Sequence, residues 1–176
     1  VPADLPLTDF NISADTVLYA IWDQGQITYA PNGASQSAQT FAGGNSYEVV
    51  GNDVIGFTRD GFRFREWQNA GDSSVVSVGT TFDLETGPVT LNAIWDELFT
   101  IQFDSGDPDG GQTAVSGSVD SIEGISGEVL TAPGKNDLVA PGFAFDGWSS
   151  SPSASSVDFS PGDPITVTTD DTLYAV

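Results

Sequence analysis

The stretch Gly142-Phe143-Ala144-Phe145-Asp146-Gly147-Trp148 decides the fold that we expect for this chain. An earlier stretch, Gly61-Phe62-Arg63-Phe64-Arg65-Glu66-Trp67, carries Gly, two Phe and Trp at the same internal spacing. A second pattern recurs as Val17-Leu18-Tyr19-Ala20-Ile21-Trp22, Thr90-Leu91-Asn92-Ala93-Ile94-Trp95 and Thr172-Leu173-Tyr174-Ala175-Val176. Because an internal repeat fixes what one structural unit is, the chain is predicted to be a tandem array.

The repeat divides the 176 residues into three parts. Residues 1–22 read as the C-terminal hairpin of a preceding repeat, residues 23–95 as repeat unit one and residues 96–176 as repeat unit two. Units of this size are only marginally stable alone, so contact with neighbouring repeats is expected to contribute to stability. The sequence opens without a basic-then-apolar signal segment, and we therefore expect the chain to be an excised mature fragment.

Alternating apolar and polar residues predict strands. Gln26–Tyr29 and Phe99–Phe103 show this alternation at the start of each unit. Phe62 and Phe64 should share one face of a strand, whereas Trp67 stands at an odd spacing from Phe64 and requires a bend or a bulge to reach the same core. The glycine before each Phe pair is expected to permit a tight turn.

Helix signals are weak throughout the sequence. Gly and Pro punctuate every window, and the apolar spacing of an amphipathic helix never extends over three turns. We expect at most one short helix per unit, following each Trp, near Asn69–Val76 or Ser150–Val157. The fold class predicted from the residues is therefore mainly β, in a tandem repeat array.

Charge excludes several classes of partner. The chain has 4 Lys and Arg against 25 Asp and Glu, a formal net charge of −21. Nucleic-acid binding depends on cationic side chains that displace counterions from phosphate, so it is not expected. Anionic lipid would repel the chain, and the sequence lacks an apolar run of membrane-spanning length, so membrane insertion is not expected either. The acidic surface is interpreted as solubilising, with cation binding or adaptation to high salt as the alternative.

The combined repeat pattern resembles the Listeria–Bacteroides repeat, also called the internalin B-repeat. Unit two carries the family motif closely, in Gly127–Pro133, Pro141–Trp148, Pro161-Gly162 and Thr172–Val176. Unit one departs from it at three positions, where Asp60, Glu66 and Asn92 replace Pro, Gly and Tyr. The resemblance implies small β-grasp-like units in a long bacterial surface protein, where such repeats act as stalk or adhesive modules.

An acidic loop is the candidate metal site. Asp104, Asp107 and Asp109 are closely spaced among glycines, and calcium prefers several such oxygen ligands. The spacing is not that of an EF-hand, and an acidic turn fixed by Asp, Pro and Gly is the alternative. Asp158 with Asp163, and Asp170-Asp171, are weaker versions that we interpret as turn residues. Calorimetry with millimolar calcium tests the hypothesis.

Two further residue types need a structural explanation. Lys135 is the only lysine and could in principle form a crosslink to Asn or Asp in a dry core, but it follows Pro133-Gly134 in a polar loop and should be exposed. Tyrosines could stack on sugars in a carbohydrate-binding module, although packing is the expected role for most of them. The four are Tyr19, Tyr29, Tyr47 and Tyr174.

Catalysis has few available groups, because the chain contains neither His nor Cys. A general base would have to be a carboxylate, Lys or Tyr. A glycine-rich phosphate cradle between a strand and a helix is also missing from the sequence. We therefore predict that the chain is not an enzyme and needs no cofactor, calcium apart.

These observations predict a structural or adhesive segment of an extracellular bacterial surface protein, in which tandem β repeats form a stalk. Its expected partners are neighbouring repeats and a host or surface ligand. One alternative is a subunit of an extracellular filament assembled through strand pairing, because the leading hairpin of residues 1–22 would expose strand edges. The other alternative is a calcium- or carbohydrate-binding module.

Overall fold

A computed structural model describes residues 25–176. The hairpin predicted for residues 1–22 lies outside this range. Contacts divide the described residues into two compact units: unit one holds residues 25–60 and 64–95, and unit two holds residues 61–63 and 96–176. Both units are built from strands, which confirms the mainly β prediction, while the β-grasp-like arrangement stays a prediction.

The elements follow one another in a repeated order. Through residue 104 they are β1 (Gln26–Ala30), β2 (Gln39–Ala42), β3 (Ser46–Glu48), α1 (Asn52–Ile55), β4 (Phe62–Asn69), β5 (Val75–Val76), β6 (Thr81–Asp83), a 3-10 turn (Leu84–Thr86) and β7 (Val89–Asp104). The remaining strands are β8 (Ile122–Ile125), β9 (Val129–Thr131), β10 (Trp148–Ser149), β11 (Pro164–Thr166) and β12 (Asp171–Ala175).

The two units share one pairing scheme. In unit one, β1 pairs antiparallel with β2 and parallel with the beginning of β7, where Tyr29 lies opposite Leu91. In unit two, the end of β7 pairs antiparallel with β8 and parallel with β12, where Phe103 lies opposite Leu173. Each unit adds a small antiparallel pair, β3 with β6 or β9 with β11. The sequence repeat is therefore also a repeat of strand topology.

A buried tryptophan closes each core. Trp67 is 1% exposed, and its ring centroid lies 4.8 Å from both Tyr29 and Phe64. Trp148 is 0% exposed and lies 4.7 Å from Phe103 and 5.1 Å from Phe145. The rings of Phe64 and Trp67 face the same core although the two residues are three positions apart, so the alternation of faces along β4 is interrupted between them.

Each of these tryptophans also donates a hydrogen bond to a backbone carbonyl, and the acceptor lies at the same place in both units. Trp67 Nε1 donates to Val50 O at 2.9 Å, and Trp148 Nε1 donates to Pro133 O at 2.7 Å. Val50 and Pro133 occupy corresponding places, since the residue before each exchanges two backbone hydrogen bonds with the turn that precedes β6 or β11. A buried indole N–H requires such an acceptor, so the two residues are fixed in orientation as well as in position.

The helix prediction was wrong in its position. The only α-helix among residues 25–176 is α1, which lies before the Phe pair, while residues 69–76 form a turn into β5 and residues 150–157 form turns and bends. Asn52 explains the short helix, because its side-chain amide donates to Phe57 O at 2.8 Å and accepts from Phe57 N at 3.0 Å. Gly56, at φ 77°, then ends it in the left-handed conformation. The helix is thus closed by the hydrogen bonds of one side chain, and no periodic pattern in the sequence predicts it.

The two aromatic stretches differ in secondary structure. Residues 62–69 form the eight-residue strand β4, which pairs with β5 and β7. Residues 143–147 form no strand, and β10 begins only at Trp148. The predicted tight turns are present in both copies, since Gly61 and Gly142 have φ values of 73° and 88°. Unit two therefore keeps the turn and the tryptophan but not the strand between them.

Alkaline pH should destabilise unit one through Tyr29. Burial raises the pKa of this phenol from 10.0 to about 12, against the opposing effect of the Val50 N–H that its oxygen accepts at 2.9 Å. Below pH 10 the phenol is neutral in both states, and the stability is fully present. Above pH 10 the unfolded chain loses its proton first, so stability falls until the folded pKa is passed, by roughly 2–3 kcal/mol in total.

Urea titrations at pH 9 and pH 11.5 measure this loss. Tyr29→Phe is the matched control, because it keeps the ring and removes the titrating group. We expect its stability at pH 9 to be lower by about 1 kcal/mol, from the lost hydrogen bond to Val50 N, and its decline with pH to be shallower. An equal decline for Tyr29→Phe and the unchanged chain would refute the role assigned to this phenol.

Candidate functional site

In the acidic loop after β7, the Asp side chains accept hydrogen bonds from backbone N–H groups of the loop itself. Asp104 Oδ1 accepts from Gly106 N at 2.9 Å, and Asp107 Oδ1 accepts from Gly111 N at 2.7 Å. Asp109 Oδ1 accepts from the backbone N–H of Thr113 at 2.8 Å, while its Oδ2 accepts from the Thr113 hydroxyl at 2.7 Å. These bonds are the turn-forming interactions that Asp favours in loops.

Those bonds also set the ionisation of Asp109. The hydroxyl and backbone N–H of Thr113 hold the pKa of the Asp109 carboxyl below its usual value, because both donate to the charged form. Across residues 25–176, His, Cys, Asp and Glu side chains never gather in threes in a way that could hold a metal ion. Calcium binding by Asp104, Asp107 and Asp109 therefore stays a prediction to be tested by calorimetry.

The carboxylates of the weaker acidic pairs accept hydrogen bonds in turns and near the ends of strands. Asp158 Oδ2 accepts from Ser150 N at 2.8 Å and from the hydroxyl of buried Ser149 at 2.9 Å. The backbone and hydroxyl groups of these two serines lower the pKa of the Asp158 carboxyl. Asp170 Oδ1 accepts from Thr100 N at 2.7 Å. These carboxylates stabilise the ends of strands in unit two.

The lysine and the tyrosines have local roles. Lys135 is exposed, as predicted, and its Nζ donates to Leu138 O at 3.2 Å. Tyr29 is fully buried, and the ring of Tyr47 packs edge-on against it at 6.5 Å. Tyr174 is half-buried beside a shallow depression of about 520 Å³. Tyr19 lies outside the described residues. Packing thus accounts for the two tyrosines of unit one.

A cleft of about 930 Å³ in unit two is a candidate binding site. Its walls are the loop after β7, residues 135–146 with the aromatic stretch, residues 151–155 and the end of β12. The apolar groups facing it include Val115, Leu138, Val139, Phe143, Phe145 and Ala175. Phe143 and Val139 are 47% and 50% exposed, an unusual exposure for large apolar side chains that lie close together.

Sequence reasoning missed this cleft. Its residues come from four separate segments that only the fold brings together, and several of them read as turn or core residues in isolation. The cleft combines an apolar wall with the charged residues Asp107, Lys135 and Asp146.

The comparisons with known proteins place the repeats in a family. The family model for the Listeria-Bacteroides repeat domain matches residues 26–94 and residues 99–176. No curated protein and no solved structure matched this chain. The two matched ranges together cover most of the chain, and each contains one of the buried tryptophans. Within the described residues, none of the helices combines the length and apolar character needed to cross a membrane.

Proposed function

The chain belongs to the Listeria-Bacteroides repeat family, and from this premise we propose that it is a structural segment of an extracellular surface protein in which tandem β repeats form a stalk. Repeats of this family are typically found in bacterial surface proteins and are of a non-catalytic type. The proposal adds three specific statements, namely a location outside the cell, a spacer role and the lack of enzymatic activity.

One observation carries the proposal: each unit closes its own core. The buried clusters around Trp67 and Trp148 are separate sets of residues. A unit that buries its own apolar face can be repeated along a chain without changing its neighbours. This modular construction suits a spacer, whose length scales with the number of repeats.

The surface charge supports an extracellular spacer. A net charge of −21 on 176 residues keeps the chain soluble and repels both copies of itself and anionic cell surfaces. The lack of cysteine makes its stability independent of the redox state of the compartment. An adhesive role would require a ligand-binding surface, and the cleft of unit two is the place where we would look for it.

Immunogold electron microscopy of the parent surface protein on cells tests the spacer role. A second copy of residues 25–176 inserted in tandem should move a label at the outer end of the protein farther from the envelope. An unchanged label distance would contradict a stalk. Native protein seen as a filament with a repeating subunit would favour the alternative of strand-paired assembly, which was based on residues outside the described range.

A further inference from the structure

The first and last strands of unit one lie side by side and run in the same direction. β1 pairs parallel with the beginning of β7 over four residue pairs, from Ile27 opposite Val89 to Ala30 opposite Asn92. Tension along the chain pulls β1 at its N-terminal end and β7 toward its C-terminal end. The two strands are therefore drawn past each other along their own axes. Because the hydrogen bonds of a parallel pair are evenly spaced, this shearing load acts on all four residue pairs at once.

Unit two places its own first and last strands in the same relation. The end of β7 pairs parallel with β12 over four residue pairs, from Ile101 opposite Asp171 to Asp104 opposite Tyr174. Tension pulls this part of β7 toward its N-terminal side and β12 toward its C-terminal side, which is again a shearing load. β7 runs without a break from Val89 to Asp104, so the backbone that leaves the first pairing is the backbone that enters the second.

Both strands of the loaded pair in unit one have a further neighbour in the sheet. β1 lies between β2 and β7, and its antiparallel pairing with β2 covers residues 26–29. β7 has β4 on its other side, and the residue after β4, Ala70, donates from its backbone N–H to Thr90 O at 2.9 Å. A strand bonded on both sides is held in line, so it does not peel away residue by residue when its end is pulled.

The cores shield the loaded hydrogen bonds from water on one face of the sheet. Ile27, Tyr29 and Leu91 are 0% exposed in unit one, and Ile101 and Leu173 are 3% and 2% exposed in unit two. A backbone hydrogen bond is electrostatically stronger beside such a low-dielectric interior than it is in water. Water also has no access from that face to replace a bond as it stretches. The buried side chains therefore strengthen the pairings that bear the load.

We propose that each repeat unit is a tension-bearing module, whose parallel terminal strands resist rupture when the chain is pulled from its two ends. This inference rests on the spacer role proposed above and adds to it the capacity to hold under load. The load is carried by β1 with the beginning of β7, and by the end of β7 with β12. The small antiparallel pairs, β3 with β6 and β9 with β11, stabilise the units without lying on the path of the load.

Single-molecule force spectroscopy on the full chain tests the proposal. The sequence has no cysteine, so a pair of introduced cysteines fixes where the force acts. Gln26→Cys with Glu97→Cys loads β1 and β7 in shear, because these anchors lie at opposite ends of the paired strands. Gln26→Cys with Thr90→Cys is the matched control, because both anchors lie at the N-terminal ends and the force opens the pair one residue at a time. All three positions are exposed.

We expect the shearing anchors to require at least about twice the unfolding force of the opening anchors at the same pulling speed, because four residue pairs share the load in one geometry and carry it in turn in the other. Urea titrations of both variants check that they fold as the unchanged chain does. Equal forces, or a lower force for the shearing anchors, would overturn the inference. The spacer role would survive that result, since the label distance on cells tests it separately.

Resistance to force and equilibrium stability should rank two further variants in opposite order, because forced unfolding follows the unfolding rate. Phe82→Ala truncates a half-buried ring in the β3–β6 pair, off the path of the load, while Val89→Ala truncates a half-buried side chain opposite Ile27, on that path. Urea titration should show the larger loss for Phe82→Ala, which removes more apolar volume. The force measured between the shearing anchors should fall more for Val89→Ala. The same order in both measurements would overturn the assignment of the load to β1 and β7.

Discussion

Replacing Trp148 with alanine should lower the free energy of unfolding of unit two by about 3–5 kcal/mol. The side chain is 0% exposed and contacts the rings of Phe103 and Phe145. Its removal leaves a cavity lined by apolar atoms and an unpaired carbonyl at Pro133, which Trp148 Nε1 satisfies at 2.7 Å. A loss of this size is a large part of the total stability of a domain with fewer than a hundred residues.

Hydrogen exchange or NMR-detected urea unfolding measures the loss, because both follow each unit through its own amide signals. Phe143→Ala is the control within the same stretch, since Phe143 is 47% exposed and its truncation should cost much less. Trp67→Ala should produce the corresponding loss in unit one. If the amides of unit two kept their stability in Trp148→Ala, the tryptophan could not be the centre of that core.

Gly147→Ala should destabilise unit two by about 2–4 kcal/mol. Gly147 has a φ of 155°, and a Cβ placed on it would lie 2.5 Å from Phe159 O and 2.9 Å from a methyl group of Val157. The Phe159 carbonyl cannot move away freely, because it accepts from Trp148 N at 2.9 Å. The added methyl group therefore separates the two segments that hold the buried tryptophan.

Gly142→Ala is the matched control for this substitution. Gly142 lies in the same stretch with a φ of 88°, but a Cβ there would meet no atom within 4 Å. Only the conformational cost of a left-handed alanine remains, about 1–2 kcal/mol. The same urea titrations compare the two variants. A smaller loss for Gly147→Ala than for Gly142→Ala would show that close packing against Phe159 is not the reason for the glycine.

Gly147 also explains why the two repeats carry different residues before the buried tryptophan. Unit one has Glu66 at the corresponding position, inside strand β4, where a side chain is accommodated. In unit two, residues 143–147 form no strand, and Gly147 lies close to Phe159 instead. The glycine of the family motif is therefore needed where the stretch leaves the strand conformation, and it is dispensable where the strand is formed.

Much of the fold could be predicted from the sequence because its signals are local. Alternation around Ile27 and Ile101 gave the first strand of each unit, and the glycines before the Phe pairs gave the turns. The repeated tryptophans gave the two cores. The short helix at Asn52–Ile55 was missed, because it is closed by one side-chain amide and two flanking glycines and lacks helical periodicity.

The sequence by itself determined that this chain is a tandem β array with one aromatic core per repeat, since a recurring pattern of Gly, Phe and Trp requires a recurring solution to burying them. Only the tertiary structure decided which residues line the cleft of unit two. Ser105, Phe143 and Val176 are far apart along the chain and meet at one cleft through strand pairing over long sequence separations. Such pairing is a property of the folded sheet, so the cleft becomes visible only in three dimensions.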